Sequence, residues 1–194
     1  MRITVLALIV GTLLVAGSLS ARVKVQADGD PNFDFAPLKT FTWPADGAGQ
    51  VKMALTKDDD PEALRRRFEP VIIAAAEANL TKRGYVKAQP GAPADFTLAY
   101  IALISTNQQA QTLGQFLPGS VSWGLPPFLA VTQSLKIFEQ GSLVIDVRRP
   151  DGNVVWRAVA QAELQRDRPD AERNKRLTGV VNDLLKQFPP KKKK

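Results

Sequence analysis

The chain has 194 residues, of which 44% are apolar and 23% charged, the composition of an ordinary globular domain rather than of a disordered segment. It contains neither cysteine nor histidine, which excludes disulfides, thiolate nucleophiles, the Ser-His-Asp triad and zinc sites built from those residues. Arg2 and the lysines at 191–194 carry five of the seven net positive charges, so the body of the chain is nearly balanced and nucleic-acid binding is not expected.

The first residues have the layout of an export signal. Met1-Arg2 is a short positive region, and the apolar run at 3–15 is too short for a membrane-spanning helix. Residues 1–20 are therefore predicted to be a signal peptide and the protein to be periplasmic or secreted, with no transmembrane segment in the mature chain. A retained N-terminal anchor is the alternative. Leu14-Val15-Ala16 resembles the start of a bacterial lipobox, but Gly17 replaces the cysteine, so no lipid anchor is expected.

The next elements in chain order are two strands, a helix and a long strand. Residues 23–27 and 39–43 alternate between apolar and polar, which predicts short strands. Asp60-Pro61 is a helix N-terminus, and Lys82-Arg83-Gly84 is a typical helix end. Residues 95–104 are apolar on both faces, which predicts a central strand covered on both sides.

Residues 105–133 form a long polar connection that contains Phe116, Trp123 and Phe128. Connections of this length in compact domains are usually functional or disordered, and large aromatic side chains often anchor binding partners. We therefore identify Phe116, Trp123 and Phe128 as partner-binding candidates. The alternative is that Trp123 packs against the sheet.

The last third of the chain predicts a hairpin followed by a helix. Strands at 135–147 and 154–164 are joined by the turn sequence Arg149-Pro-Asp-Gly-Asn153. Asp170 is the expected N-cap of a final helix, whose apolar positions share one face: Leu177, Val180, Val181, Leu184, Leu185 and Phe188. The order β-β-α-β-β-β-α predicts an α+β fold, with a mostly antiparallel sheet and two amphipathic helices packed on one face.

Two acidic clusters raise the possibility of a cation site. Asp58-Asp59-Asp60 fits the start of a helix equally well, and Asp28, Asp30 and Asp34 lie in a turn sequence. Neither cluster has the spacing of a calcium loop. No metal ligand, cofactor site or catalytic residue is therefore assigned.

Asp146 and Glu163 lie on neighbouring strands of the predicted hairpin. Two carboxylates at a suitable separation perform acid–base chemistry. The alternative role is that of exposed edge charges opposite Arg148 or Arg157.

The chain ends in Lys191, Lys192, Lys193 and Lys194. Residues 191–194 are expected to form a disordered tail. Weak contact with anionic lipid is the other possible role, at about 1 kcal/mol per lysine.

Four stretches together resemble the bacterial domain-of-unknown-function family 4136. They are Asp30–Trp43, Lys82–Tyr85 with Ala94–Phe96, Gly141–Asp146 with Val155–Arg157, and the last helix with Phe188–Pro190. The resemblance covers residues 23–190 and implies a single α+β envelope domain, here placed at residues 22–190. It implies no established activity and transfers no catalytic residue.

Two functions remain open at this point. The first is a non-catalytic secreted or periplasmic domain that binds a protein, cell-wall or lipid partner of the envelope. The second is a secreted hydrolase that uses carboxylates, which requires two acids converging in a cleft.

Overall fold

The computed structural model of the chain describes residues 23–54, 60–105, 140–163 and 168–191. The predicted signal peptide, the three aromatic partner-binding candidates at 116, 123 and 128, and the lysines at 192–194 lie outside these residues.

The described residues form seven strands and two helices. In chain order these are β1 (Lys24–Gly29), β2 (Thr40–Thr42), β3 (Gly49–Ala54), α1 (Pro61–Lys82), β4 (Val86–Lys87), β5 (Phe96–Ser105), β6 (Gln140–Arg148), β7 (Val154–Glu163) and α2 (Asp170–Leu185).

The strands form one sheet in the order β1-β7-β6-β5-β2-β4, and β3 also pairs with β5. The predicted hairpin of β6 and β7 is confirmed. At its turn, the Arg149 amide donates to the carbonyl of Asn153 at 2.9 Å, and Gly152 adopts a φ of 87°. That left-handed conformation is one that glycine adopts without steric cost.

The expectation of a mostly antiparallel sheet was wrong, because the sheet is mixed. β1, β7, β6 and β5 pair antiparallel, but β2 and β3 both run parallel to β5, and β4 runs parallel to β2. After β3 the chain passes through α1 and the short strand β4, and then returns to the sheet as β5, which runs in the same direction as β3. A helical crossover of this kind is what joins parallel neighbours. The sequence analysis had not identified β3 or β4 as strands.

The first helix begins and ends as predicted. The side chain of Asp60 accepts a hydrogen bond from the amide of Glu62 at 2.9 Å, and Pro61 occupies the first helical position. Gly84, just after the helix, has a φ of 89°. Local sequence therefore determines both ends of α1.

The start of the second helix differs from the prediction. Pro169 is the N-cap and makes no side-chain capping bond, while Asp170 is the first helical residue. The Asp170 carboxylate instead accepts hydrogen bonds from Arg67 and Arg173. Asp170 therefore links the two helices rather than capping its own.

The two helices lie parallel, side by side. Contacts between them keep the same offset along the chain: Arg67 binds Asp170, Asn79 donates to Asn182 at 2.8 Å, and Arg83 donates to the Leu185 carbonyl at 2.7 Å. Both helices pack on one face of the sheet, as predicted. Their N-termini consequently lie at the same end of the domain.

The other end of this helix-covered face is filled by aromatic rings. Phe96 contacts Tyr85, Phe41 and Phe188 at centroid distances of 5.7, 6.0 and 5.5 Å, and Trp156 contacts Phe188 at 5.2 Å. We call these five residues the aromatic cluster. Four of its rings are at most 1% exposed, and Tyr85 is partly buried against them.

The face of the sheet away from the helices is buried as well. Ile101 in β5, Val144 in β6 and Val159 in β7 are at most 3% exposed, although they point away from the helical layer. The prediction that β5 is a central strand covered on both sides is therefore confirmed.

Candidate ligand-binding pocket

A pocket of about 320 Å³ lies between the N-terminal halves of α1 and α2 and the sheet. Its floor includes small residues, among them Ala102 of β5, Gly141 of β6, and Ala160 and Ala162 of β7, together with the larger Leu143 and Ile104. Farther along the same face, β5 carries Phe96 and β7 carries Trp156.

The walls of the pocket are apolar. Leu64, Phe68 and Ile72 contribute from α1, and Leu177 and Val180 contribute from α2. Spaced three or four residues apart, the side chains of each helix share one face. A concave, mostly apolar surface with a few polar groups is the usual form of a small-molecule site.

Ser142 and four arginines are the polar residues among the described lining of the pocket, the arginines being Arg67, Arg168, Arg173 and Arg176. Asp170 accepts from Arg67 and Arg173, and Glu172 accepts from Arg168 at 3.2 Å. No acidic side chain is among the described residues that line the pocket itself. The carboxylates of Asp170 and Glu172 therefore lie beside three of these guanidinium groups. The N-terminal ends of both helix dipoles lie at the same end of the pocket.

The acid pair considered in the sequence analysis lies elsewhere. Asp146 is directly opposite Arg157, whose Nε and Nη2 donate to its two carboxylate oxygens at 2.6 and 2.8 Å. Arg148 lies 3.4 Å from the same carboxylate. The expected pairing with an arginine is present, but the expectation of an exposed edge was wrong, because Asp146 and Arg157 are 1% and 0% exposed. β6 and β7 are interior strands, since β5 and β1 pair with their outer sides.

Asp146 and Glu163 do not form a catalytic pair. Glu163 pairs with Gln140, whereas Asp146 pairs with Arg157, six residues earlier in β7. At about 3.3 Å per residue, the separation along the strand is about 20 Å. Acid–base pairs in glycoside hydrolases are roughly 5–9.5 Å apart.

The remaining acid candidates have local roles. Asp28, Asp30 and Asp34 each accept a hydrogen bond from a backbone amide one or two residues later, at 2.9, 2.9 and 3.1 Å. Asp60 caps α1, and Asp58 and Asp59 lie outside the described residues. Within the described part of the chain, no group of three or more acids is arranged to hold a metal ion.

Tyr100 is the buried titratable group on the helix-covered face of β5. Its hydroxyl donates to Glu69 of α1 at 2.8 Å, and Arg65 lies 3.8 Å from the same carboxylate. Burial and the hydrogen bond to Glu69 raise the pKa of Tyr100. The phenol thus stays protonated at neutral pH and joins α1 to β5 as a hydrogen-bond donor.

Two of the three tryptophans pack in or against the core, which is the usual role of tryptophan in a strand. Trp156 is fully buried, and Trp43 lies against the core with its Nε1 donating to Glu77 at 3.0 Å. Trp123 lies outside the described residues, as do Phe116 and Phe128, so their partner-binding role stays a prediction.

The sequence analysis missed the four arginines of the pocket. The sequence did carry a signal, because Arg173 and Arg176 are spaced to share a helix face with Leu177 and Val180. The alternate alanines at 158, 160 and 162 also predict a strand face with room above it. Only the packing of both helices brings these two features together.

Parts of two stretches that carry the family resemblance, Asp30–Trp43 and Ala94–Phe96, meet away from the pocket, whereas Gly141 and the last helix line it. Asp95 accepts hydrogen bonds from the amides of Lys39 and Thr40 at 2.8 and 2.7 Å and from the Thr40 hydroxyl at 3.0 Å. These bonds lower the pKa of Asp95. The bonds from the backbone amides of Thr40 and Lys39 have the largest effects. They join β2 to the start of β5, beside the aromatic cluster. These motif residues therefore hold the fold together rather than line the candidate site.

Neither α1 nor α2, the helices that the structure describes, is long and apolar enough to cross a membrane.

Several solved structures resemble the chain. A DUF4136 family protein from Bacteroides thetaiotaomicron is 18% identical, with a TM-score of 0.51, and the match covers 86% of this chain and 96% of that one. A PDZ domain protein from Parabacteroides distasonis is 17% identical, with a TM-score of 0.49 over 89% of this chain. The chain matches only 36% of the length of that protein.

A third structure, the PelC dodecamer from Paraburkholderia phytofirmans, is 12% identical, with a TM-score of 0.39, and the match covers 84% of this chain and 95% of that one. No curated protein matches the chain.

The family model described as "Domain of unknown function (DUF4136)" matches residues 25–190, which include every described strand and helix except Lys24, the first residue of β1. The similar structure from B. thetaiotaomicron is that of a DUF4136 family protein, which agrees with this match. The chain belongs to the DUF4136 family.

Proposed function

We propose that this chain is a non-catalytic domain of the bacterial cell envelope, exported by its N-terminal signal, that binds a partner through the pocket between α1 and α2. The observation that carries this proposal is the pocket itself, which combines an apolar lining with four arginines. Pockets of this kind are the usual starting point for a binding-site hypothesis.

The described acids favour binding over catalysis. Asp146 is held by two bonds from Arg157, Glu69 accepts from Tyr100, and Asp95 accepts three bonds from β2. Each of these carboxylates therefore has a structural role, because its hydrogen bonds join elements of the fold. The hydrolase alternative would need two acids facing one cleft, and the described lining of the pocket contains none.

The lining also narrows the class of partner. Leucine, phenylalanine, valine and alanine side chains offer no hydrogen bonds to the hydroxyl groups of a cell-wall polymer. An apolar group whose polar end accepts hydrogen bonds satisfies both the walls and the arginines. The proposal therefore favours a lipid, or an apolar protein segment, over a polysaccharide.

Phe116, Trp123 and Phe128 remain proposed partner contacts, on the strength of their place in a long polar connection. A Trp123→Ala variant that melts within a degree or two of the wild type but loses partner capture would support this role. A much lower melting temperature with normal capture would assign Trp123 to the core instead.

The test of the proposed function is capture from an envelope extract by the full chain. Wild type, Ala162→Leu and Arg66→Gln should be compared, with bound lipids and proteins both identified by mass spectrometry. Ala162 lines the pocket, whereas the Arg66 side chain is 69% exposed and does not. A partner held by the wild type and Arg66→Gln but lost by Ala162→Leu is expected. Equal capture by all three variants would contradict binding through the pocket.

A further inference from the structure

We propose that the pocket binds a single-chain lipid with an uncharged polar head, of the chemical class of a long-chain alcohol or a monoacylglycerol. This inference rests on the proposed function, since it names the ligand of the same pocket. The apolar chain enters from the end where the helices begin and points toward the middle of the domain. The head stays among the arginines.

The pocket changes from a polar, exposed end to an apolar, buried end. Arg67, Arg168 and Arg173 line the end nearest the helix N-termini, and each of these side chains is partly exposed. At the opposite end, Ile72 of α1 and Leu143 of β6 line the pocket and are buried. An amphiphile matches this gradient with its chain inward, because the chain then leaves water while the head keeps its contact with it.

The floor of the pocket has two layers, which the register of three strands defines. The outer layer is the cross-strand row Ile104, Gly141 and Ala162, and the inner layer is the row Ala102, Leu143 and Ala160. The next row inward contains Ile145 and Ala158, which are fully buried in the core and do not belong to the lining. The pocket therefore ends against packed side chains, and its depth limits the length of chain that it accepts.

The size of the pocket limits the ligand to one chain. Its volume of about 320 Å³ is near the lower end of the range found for small-molecule sites, roughly 300–1,000 Å³. A diacyl lipid carries two chains and a large headgroup. The volume therefore favours a single-chain lipid over a membrane phospholipid.

The arginines favour an uncharged head, because all four already interact within the protein. The carboxylates of Asp170 and Glu172 accept hydrogen bonds from three of them, and Arg176 has a partner as well. An anionic head at this end would lie beside those carboxylates as well as the guanidinium groups, so repulsion offsets attraction. A hydroxyl or ester oxygen accepts a hydrogen bond from a guanidinium group without adding a charge.

The experiment displaces an uncharged fluorescent probe, N-phenyl-1-naphthylamine, from the full chain with straight-chain alcohols from hexanol to tetradecanol. Affinity should rise about fourfold for each added methylene until the chain reaches the buried end, and should then level off. Dodecanol and monododecanoylglycerol should bind at least as tightly as dodecanoate, which has a similar chain and a negative charge. Tighter binding of dodecanoate than of dodecanol, by more than about threefold, would overturn the assignment of an uncharged head.

Two variants of the inner layer should move the chain-length limit in opposite directions. Ala160→Val fills part of the buried end, so the affinity should level off at a shorter alcohol. Leu143→Ala removes carbon atoms there, so it should level off at a longer one. Arg66→Gln, which lies outside the lining, should leave the limit and the affinities unchanged. A limit that is the same in all folded variants would contradict binding inside the pocket.

Circular dichroism of each variant provides the control for folding. If Ala160→Val does not fold, Leu143→Ala and the outer-layer variant Ala162→Leu keep the test decisive. Ala162→Leu narrows the entrance and should weaken dodecanol binding at least about tenfold. If folded Leu143→Ala and folded Ala162→Leu both bind every alcohol like the wild type, the proposal is wrong.

Failure of this inference can be told from failure of the proposed function. If no alcohol displaces the probe, yet the wild type captures an envelope protein that Ala162→Leu loses, the ligand class is wrong and binding through the pocket stands. If neither alcohols nor any envelope component depends on Ala162, both proposals are overturned.

Discussion

Asp146 and Arg157 place two opposite charges inside the sheet, where neither reaches solvent. Removing an ion from water is costly, and the two hydrogen bonds between these side chains offset that cost only while both partners are present. The pair therefore stabilises the register in which β6 and β7 are paired.

Asp146→Ala is expected to lower the free energy of unfolding by about 3–5 kcal/mol, because it leaves the Arg157 guanidinium buried without its counter-charge. Urea denaturation measures the loss. Asp183→Ala is the matched control, since Asp183 forms an exposed pair with Lys186 and should cost no more than about 0.5 kcal/mol.

The double variant Asp146→Leu, Arg157→Met should recover most of the lost stability, because it removes both buried charges. A double variant no more stable than Asp146→Ala would show that packing, not uncompensated charge, causes the loss.

Asp95 gives the domain a pH-dependent contribution to stability. Hydrogen bonds from Thr40 and Lys39 hold the pKa of its carboxyl below the ordinary value of 3.8. The folded state therefore releases this proton more readily than the unfolded state does. The stabilisation is fully present above the unfolded pKa and is lost as pH falls through the folded pKa.

Asp95→Asn should consequently lower the melting temperature at pH 7, and its difference from the wild type should shrink as pH falls below about 4. Thermal denaturation monitored by circular dichroism across this range checks both effects. A difference that stays constant with pH would mean that the Asp95 charge contributes nothing to the junction of β2 and β5.

At the scale of elements, the position of β3 in the sheet depends on Gly49, which has no side chain to collide with β5. Gly49 pairs with Tyr100, and a Cβ at Gly49 would lie 2.3 Å from the Tyr100 carbonyl oxygen. That oxygen belongs to the backbone of the central strand and cannot move aside cheaply. Gly49 therefore permits the close parallel approach of β3 to β5 that makes the sheet mixed.

Gly49→Ala is expected to destabilise the domain by about 1–3 kcal/mol, as overpacking does. Gly179→Ala provides the opposite control, because Gly179 lies inside α2 with nothing near its missing Cβ. That change should stabilise by about 0.5–1 kcal/mol through helix propensity. Equal effects of the two changes in urea denaturation would contradict the close approach of β3.

At the scale of the whole molecule, the arrangement divides the helix-covered face into two ends. The aromatic cluster and the Asp95 bonds stabilise one end, and the pocket opens at the other, where both helices begin. The motif residues around Asp95 lie at the packed end, whereas Gly141 and the last helix, which also carry the resemblance, line the pocket.

Export of the whole protein is open to a direct test. The mature N-terminus is expected between Ser18 and Arg22, in an osmotic-shock fraction, because small residues follow a short apolar run. Gly17→Cys should then convert the product into a membrane-bound lipoprotein. N-terminal sequencing that returned Met1 would contradict removal of the signal peptide. A Gly17→Cys protein without lipid would contradict the conversion to a lipoprotein.

Sequence by itself determined the features that depend on nearby residues. The N-cap of α1 at Asp60, the turn at Arg149–Asn153 and the apolar face of α2 were all predicted correctly, because hydrogen bonds and side-chain periodicity within a few positions decide them. The family was also recognisable, since its short motifs keep their order along the chain.

Tertiary structure alone decided the features that join distant residues. The parallel pairing of β3 with β5 depends on the path of α1, and the interior position of Asp146 depends on β5 and β7 pairing with the two sides of β6. The pocket needs Arg67 and Arg173, which lie more than a hundred positions apart, to meet around Asp170. Local propensity carries no information about such meetings, because they follow from how the helices and the sheet bury their apolar faces together.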